Sequence, residues 1–181
     1  LAVRCTVLEP ILLNEHKGSA LRGALYHALR DGFCTMKEVP EGCPRCPLGE
    51  VCPVCTLVST LGPDQRLGRD AARPYTVQPP LDERKTMYRP GEELAFGITL
   101  YAGAMRLFPY VVMALRGLEE QGLGIRLEEN RWRRGRLRIE EVWADNPLTR
   151  ERRPVARAGD TLIQVPDIPV THEQVLARAA L

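Results

Sequence analysis

Five of the six cysteines fall between Cys34 and Cys55, and four of them form two Cys-x-x-Cys pairs separated by five residues. Each pair can place two thiolates on one metal ion. Disulfides are the alternative, but they need an oxidising compartment and would leave one of the five thiols unpaired. The pattern predicts a structural metal site without a catalytic metal, with zinc favoured over an iron–sulfur cluster. The candidate ligands are Cys34, Cys43, Cys46, Cys52 and Cys55.

A second group of residues is strongly basic. Six arginines lie within a short stretch and surround Trp132, with only Glu128 and Glu129 to offset them. Guanidinium groups bind phosphates and an aromatic ring stacks on bases, so this composition suits RNA, although a solvated hairpin is the simpler interpretation. The arginines are Arg126, Arg131, Arg133, Arg134, Arg136 and Arg138.

The first predicted helix carries two further candidates. Its start combines Lys17, Ser19 and Arg22 with free backbone N–H groups, which together make either an anion site or simply a capped helix. His27 lies on its polar face beside Tyr26 and Arg30, and a neutral imidazole can transfer protons near pH 7. Patterns typical of the common hydrolases and nucleotide-binding proteins are missing from the sequence.

Composition limits the class of protein. The 181 residues contain 25 Lys and Arg against 23 Asp and Glu, so the overall charge does not select a nucleic-acid partner. A hydrophobic content of 44% can form a real core. The apolar stretches fall short of the roughly 20 residues that span a membrane, and no signal peptide is visible. We therefore expect a cytoplasmic protein without membrane contact, and a chain that is part of a longer one.

The periodicity of apolar residues predicts the elements that position these groups. They follow the order strand, helix, strand, strand, helix, strand, which predicts an α+β, ferredoxin-like (RRM-like) βαββαβ domain with the cysteine-rich segment, residues 33–72, inserted after the first helix. The predicted strands are residues 2–13, 75–78, 94–101, 136–142 and 160–165, with helices at 19–30 and 107–121 and a further helix over 170–181.

Four stretches of the chain resemble the RAMP superfamily of CRISPR-associated proteins, and within it the repeat-specific endoribonuclease that processes precursor CRISPR RNA. They are the run from Gly18 to Arg30, the cysteine insertion, the Tyr88-Arg-Pro-Gly turn, and Gly122-Leu-Gly124 followed by Arg134-Gly-Arg-Leu-Arg. The resemblance extends over roughly residues 1–165 in consistent order.

This resemblance implies an N-terminal ferredoxin-like domain over residues 1–165. Residues 166–181 would then be a linker or the start of a second domain. It also implies antiviral defence, with CRISPR repeat RNA, the second domain and other CRISPR-associated subunits as partners. Metal-independent cleavage would leave a 2′,3′-cyclic phosphate, with His27, Tyr26 and Arg30 as catalytic residues. Phosphate would be held by Lys17, Ser19, Arg22, Lys37 and the arginine group.

Two points stay open from the sequence. The family's cysteine pattern corresponds to Cys34, Cys43, Cys46 and Cys52, whereas the paired spacing alone selects Cys43, Cys46, Cys52 and Cys55. The alternatives to an endoribonuclease are a non-catalytic RNA-binding subunit of a CRISPR interference complex and a zinc-stabilised protein-interaction domain.

Overall fold

The computed structural model describes residues 1–38, 43, 46–49, 51–58, 73–82 and 84–180. The helices are α1 (Lys17–Phe33), α2 (Pro53–Leu57), α3 (Phe108–Gln121) and α4 (His172–Ala179), with short 3-10 helices at Ala102–Leu107 and Glu128–Asn130. The strands are β1 (Ala2–Val7), β2 (Ile11–Leu12), β3 (Tyr75–Gln78), β4 (Met87–Tyr88), β5 (Glu93–Leu100), β6 (Leu123–Leu127), β7 (Arg133–Gly135), β8 (Leu137–Asn146) and β9 (Glu151–Arg157).

The main sheet has five strands in the order β3-β5-β1-β8-β9, and every neighbouring pair is antiparallel. Successive side chains of a strand point to opposite faces, and β1 follows this rule: Val3, Cys5 and Val7 are buried while Arg4 is exposed. Two small sheets, β2 with β4 and β6 with β7, complete the strands of the described residues. The expected α+β class is confirmed, and its sheets are antiparallel.

Helices α1 and α3 pack against each other over the buried face of the main sheet. The buried face of α1 is an apolar stripe with the periodicity of a helix, and it consists of Leu21, Ala24, Leu25, Ala28 and Leu29. The two helices approach closely at Gly117, where an added Cβ would lie 3.5 Å from the Cβ of Ala28. Small residues at this crossing allow both helices to reach the sheet.

One predicted strand is wrong. Residues 160–165 form no strand, because Gly159 has a left-handed φ of +83° and the Asp160 carboxylate accepts a hydrogen bond from the Arg157 N–H, which turns the chain. The last strand is instead β9, whose polar residues and Pro154 are typical of a strand at the edge of a sheet. Such a strand lacks the alternation of apolar and polar residues by which a strand is recognised in a sequence.

Element boundaries also differ from the prediction. Helix α1 begins at Lys17 rather than after Ser19, and no side chain caps it. The first predicted strand, residues 2–13, is divided into β1 and β2 by the turn before Pro10. The helix predicted over 170–181 is α4, capped by the Thr171 hydroxyl. Within the described ranges, no helix has the length and apolar character needed to cross a membrane.

Only part of the predicted cysteine insertion can be compared with the structure. Residues 39–42, 44, 45, 50 and 59–72 lie outside the described residues. The remainder contains α2, whose first turn holds Pro53, a position where a missing N–H has no cost. Val54 and Leu57 of this helix are buried in the core, so α2 is packed against the domain.

Candidate functional site

An open groove of about 520 Å³ brings His27 of the first helix together with the arginine-rich segment. His27 enters it from α1, and Trp132 and four arginines enter it from the hairpin β6–β7 and the residue that follows. His27 and Trp132 are both exposed. The four arginines are Arg126, Arg133, Arg134 and Arg136. Segments far apart in the sequence thus form one surface, which we call the basic groove.

The hairpin that carries the arginines is fixed to the start of the domain. Its strands β6 and β7 pair at Leu123 with Gly135 and at Leu127 with Arg133. An added Cβ on Gly135 would lie 2.0 Å from the backbone oxygen of Pro10, a distance that real atoms do not reach. The glycine therefore lets the hairpin lie directly on the chain between β1 and β2.

A buried side chain reinforces the same contact. Asn130 is 4% exposed, and its amide donates a hydrogen bond of 2.8 Å to the Pro10 carbonyl. The carbonyl of Arg136 accepts hydrogen bonds from the backbone N–H groups of Leu8 and Glu9, at 2.9 and 3.1 Å. The hairpin is therefore held at both ends, and it forms a rigid wall of the basic groove.

Acidic residues share the basic groove with the arginines. They are Glu9, Asp31 and Glu120. The Glu9 carboxylate lies 3.8 Å from the Arg133 guanidinium, and the Asp31 carboxylate accepts a hydrogen bond of 3.0 Å from the Gln121 amide. Glu120 is exposed at the end of α3. Four guanidinium groups face three carboxylates, so the groove carries a small positive excess with local ion pairing.

The surroundings of His27 leave its ring accessible. The Tyr26 ring lies edge-on to it, with the centroids 5.3 Å apart and an interplanar angle of 71°. Asp31 follows His27 by one helical turn and lines the same groove. An exposed imidazole beside cationic side chains can accept a proton from a bound molecule whose negative charge those cations hold.

Other residues predicted for the site lie elsewhere. Lys17 is 4% exposed and donates to the backbone carbonyl of Asp82, so its charge serves the fold. The Arg30 guanidinium donates to the Lys37 carbonyl over 3.1 Å, and the Lys37 ammonium donates to the Asp31 carbonyl over 3.0 Å. The residues that the structure places outside the lining of the basic groove are Lys17, Ser19, Arg22, Tyr26, Arg30, Lys37, Arg131 and Arg138.

The groove also contains residues that the sequence did not point to. Glu9, Glu120 and Gln121 reach it only because α3 ends beside α1 and because the hairpin lies on the chain after β1. Asp31 had a local signal, because it follows His27 by four residues on one helix.

All six cysteines are free thiols, and Cys5 is buried in β1 as an ordinary core residue. Burial raises the pKa of the Cys55 thiol, and contacts with the Cys43 and Cys52 thiols raise it further. The Cys55 thiol therefore lies near two other thiols of the segment. Cys34 and Cys46 are half-buried, and the part of the chain that the structure describes contains no group of three or more His, Cys, Asp or Glu arranged to hold a metal ion.

A comparison with protein families shows which family the chain belongs to. The model of the AF_1859_N family, described as an N-terminal domain, matches residues 1–168. The chain belongs to this family. The match extends through β9 and ends before α4. A comparison with curated proteins finds no significant match.

Proposed function

We propose that the chain is the N-terminal, ferredoxin-like domain of a CRISPR-associated endoribonuclease of the RAMP type. The strand order supports the ferredoxin-like part. In the first unit, β1 and β3 come before and after α1 in the sequence, and β5 lies between these two strands in the sheet. In the second unit, β5 and β8 come before and after α3, and β1 lies between these two strands in the sheet. Two such split βαβ units define this arrangement. Strand β9 is then an added edge strand.

The observation that carries the proposed activity is the convergence of His27 with the hairpin arginines on one groove. A histidine is a general base or acid, and guanidinium groups bind phosphate through charge-assisted hydrogen bonds. The two requirements of RNA cleavage, proton transfer and stabilisation of phosphate charge, are thus met by adjacent side chains.

The reaction needs no redox partner. The 2′-oxygen of a ribose attacks the adjacent phosphorus and gives its proton to His27, and the bond from phosphorus to the 5′-oxygen breaks. The departing 5′-oxygen takes a proton from solvent, and His27 returns its proton to solvent. The products are a 2′,3′-cyclic phosphate and a 5′-hydroxyl. Guanidinium groups such as those of Arg134 and Arg136 would stabilise the extra negative charge on the phosphorane.

The test uses the full-length natural protein and a labelled CRISPR repeat RNA from the same genome. We expect cleavage to a 2′,3′-cyclic phosphate and no cleavage when the ribose at the scissile position lacks its 2′-hydroxyl. His27→Ala should remove cleavage and keep RNA binding. His16→Ala is the matched control, because His16 is exposed in the loop before α1. A His27→Ala protein that cuts as fast as wild type would exclude His27 from the reaction.

Other outcomes identify the alternatives. Salt-sensitive binding of repeat RNA without cleavage by the wild-type protein would indicate a non-catalytic RNA-binding subunit. Absence of RNA binding even at low salt would indicate a protein-interaction domain.

We also propose that the cysteine segment holds a structural zinc ion. Thiolates are ligands that zinc prefers, the segment offers five of them, and the Cys55 thiol lies near those of Cys43 and Cys52. Four of Cys34, Cys43, Cys46, Cys52 and Cys55 would bind the ion. A zinc ion with four protein ligands stabilises the fold and leaves no position for a substrate.

A further inference from the structure

The two tryptophans of the chain have opposite surroundings. Trp143 is fully engaged on the open face of the main sheet. Its indole N–H donates to Glu141 over 3.0 Å, and the guanidinium groups of Arg152 and Arg157 lie 5.1 and 5.9 Å from its ring centroid. Trp132 is 67% exposed, and within the described residues no aromatic or cation–π contact involves it. The ring of Trp132 is therefore open to a partner that could stack on it.

The backbone under Trp132 is strained. Arg131 and Trp132 have φ values of +55° and +60°, in the left-handed region that side chains other than glycine rarely occupy. Each such residue costs of order 1 kcal/mol, and a turn with glycine at these positions would avoid that cost. Strain of this kind persists where it places a side chain for use.

The position of the ring is also fixed. Asn130 directly precedes the strained pair, is buried, and binds the Pro10 carbonyl. The backbone N–H of Trp132 donates a hydrogen bond of 2.9 Å to the Leu127 carbonyl, and this bond closes the turn. The tip of the hairpin is therefore a rigid support, and it presents the indole on the rim of the groove that His27 and the arginines line.

We propose that Trp132 is a stacking platform for one unpaired nucleobase, so that the basic groove accepts single-stranded RNA and rejects duplex. This inference rests on the proposed function and specifies its substrate. A base in a duplex is covered on both faces by its neighbours, whereas an unpaired base can place one face on an exposed indole. The arginines beside the ring hold the phosphate of the same strand, so that a base and its backbone are bound together.

The experiment uses the full-length protein and two probes of equal sequence, a 12-nucleotide single-stranded RNA and its 12-base-pair duplex. The single strand should quench the part of the tryptophan emission that wild type has and Trp132→Phe lacks, and the duplex should not. Trp132→Ala should weaken binding of the single strand by about 5- to 100-fold, and Trp132→Tyr should keep most of the affinity. Equal affinity of wild type and Trp132→Ala, or equal affinity for both probes, would overturn the inference.

A glycine variant separates this role from a structural one. Trp132→Gly removes the ring and also the strain, so it should be at least as stable to urea as wild type while it loses single-strand affinity. Loss of stability in Trp132→Gly would mean that the ring supports the fold, and the inference would be wrong. Cleavage that depends on His27 but is unchanged in Trp132→Ala would overturn the stacking role and leave the proposed function standing.

Discussion

The side-chain amide of Asn130 donates a hydrogen bond of 2.8 Å to the backbone carbonyl of Pro10. The bond joins the tip of the arginine hairpin to the turn after β1; Asn130 is buried and Pro10 is half-buried. It fixes one wall of the basic groove relative to α1, which carries His27.

Asn130→Ala should lower the free energy of unfolding by about 1–2 kcal/mol, because it removes the hydrogen bond that the buried Asn130 amide donates to the Pro10 carbonyl. Urea denaturation measures the change. The control is Asn14→Ala, since Asn14 is exposed and should change stability by less than about 0.5 kcal/mol. Equal stability of the Asn130 and Asn14 variants would show that this hydrogen bond contributes nothing.

Gly135→Ala should destabilise the protein by about 2 kcal/mol or more, because the new methyl group would overlap the Pro10 carbonyl and push the hairpin away. Gly23→Ala is the matched control. Nothing lies within 4 Å of a Cβ at Gly23, and alanine favours the helix, so stability should rise by about 0.5–1 kcal/mol. Thermal unfolding measures the stability of both variants. A Gly135→Ala protein as stable as wild type would contradict the close approach of Gly135 to the Pro10 carbonyl.

Glu120→Gln should strengthen binding of single-stranded RNA about twofold to fivefold at low salt, because it removes an exposed negative charge from the groove. The gain should shrink as salt is added. Glu38→Gln changes the net charge equally at an exposed position outside the groove lining and should have little effect. Fluorescence anisotropy measures both, and an equal gain in the two variants would point to net charge alone.

Stability should fall with pH in the acidic range. A hydrogen bond from the Trp143 indole, followed by the charges of Arg4 and Arg157, lowers the pKa of Glu141 below its ordinary value of 4.5. A carboxyl with a lowered pKa in the folded state stabilises the protein above the unfolded-state pKa, and that stabilisation is lost as pH falls through the folded-state pKa.

The pKa values of Glu92 and Glu140 are lowered as well, so their contributions have the same sign. Glu141→Gln should therefore have a flatter dependence of stability on pH below about 4.5 than wild type. Urea denaturation at a series of pH values tests this, with Glu38→Gln as the control. An unchanged slope in Glu141→Gln would show that the carboxylate is not stabilised in the fold.

Purified protein should contain about one equivalent of zinc, and a chelator should lower its melting temperature. Single Cys→Ser variants at positions 34, 46 and 55 identify the fourth ligand, since the residue that is not a ligand can be replaced without loss of metal. Cys5→Ala should keep the metal, because Cys5 lies in the core of the sheet. Less than about half an equivalent of zinc or iron by elemental analysis would exclude the metal site.

The local pattern of the sequence was sufficient for much of the main sheet and for both long helices. The apolar stripe of α1, the strand β3 and the proline in the first turn of α3 follow from periodicity and backbone chemistry, which act over a few residues. Strand β9 does not follow from the pattern because four of its seven residues are charged, one is proline, and it pairs only with β8.

The sequence by itself determined the kinds of chemistry available: one histidine on a polar helix face, an arginine group around a tryptophan, and a cluster of thiols. Only the tertiary structure decided which of them meet. In the folded protein Lys17 is buried and Arg30 lies outside the groove lining. His27 lies beside the hairpin because Gly135 lets that hairpin pack on the chain after β1. Contacts between distant segments depend on packing, and short-range patterns do not encode packing.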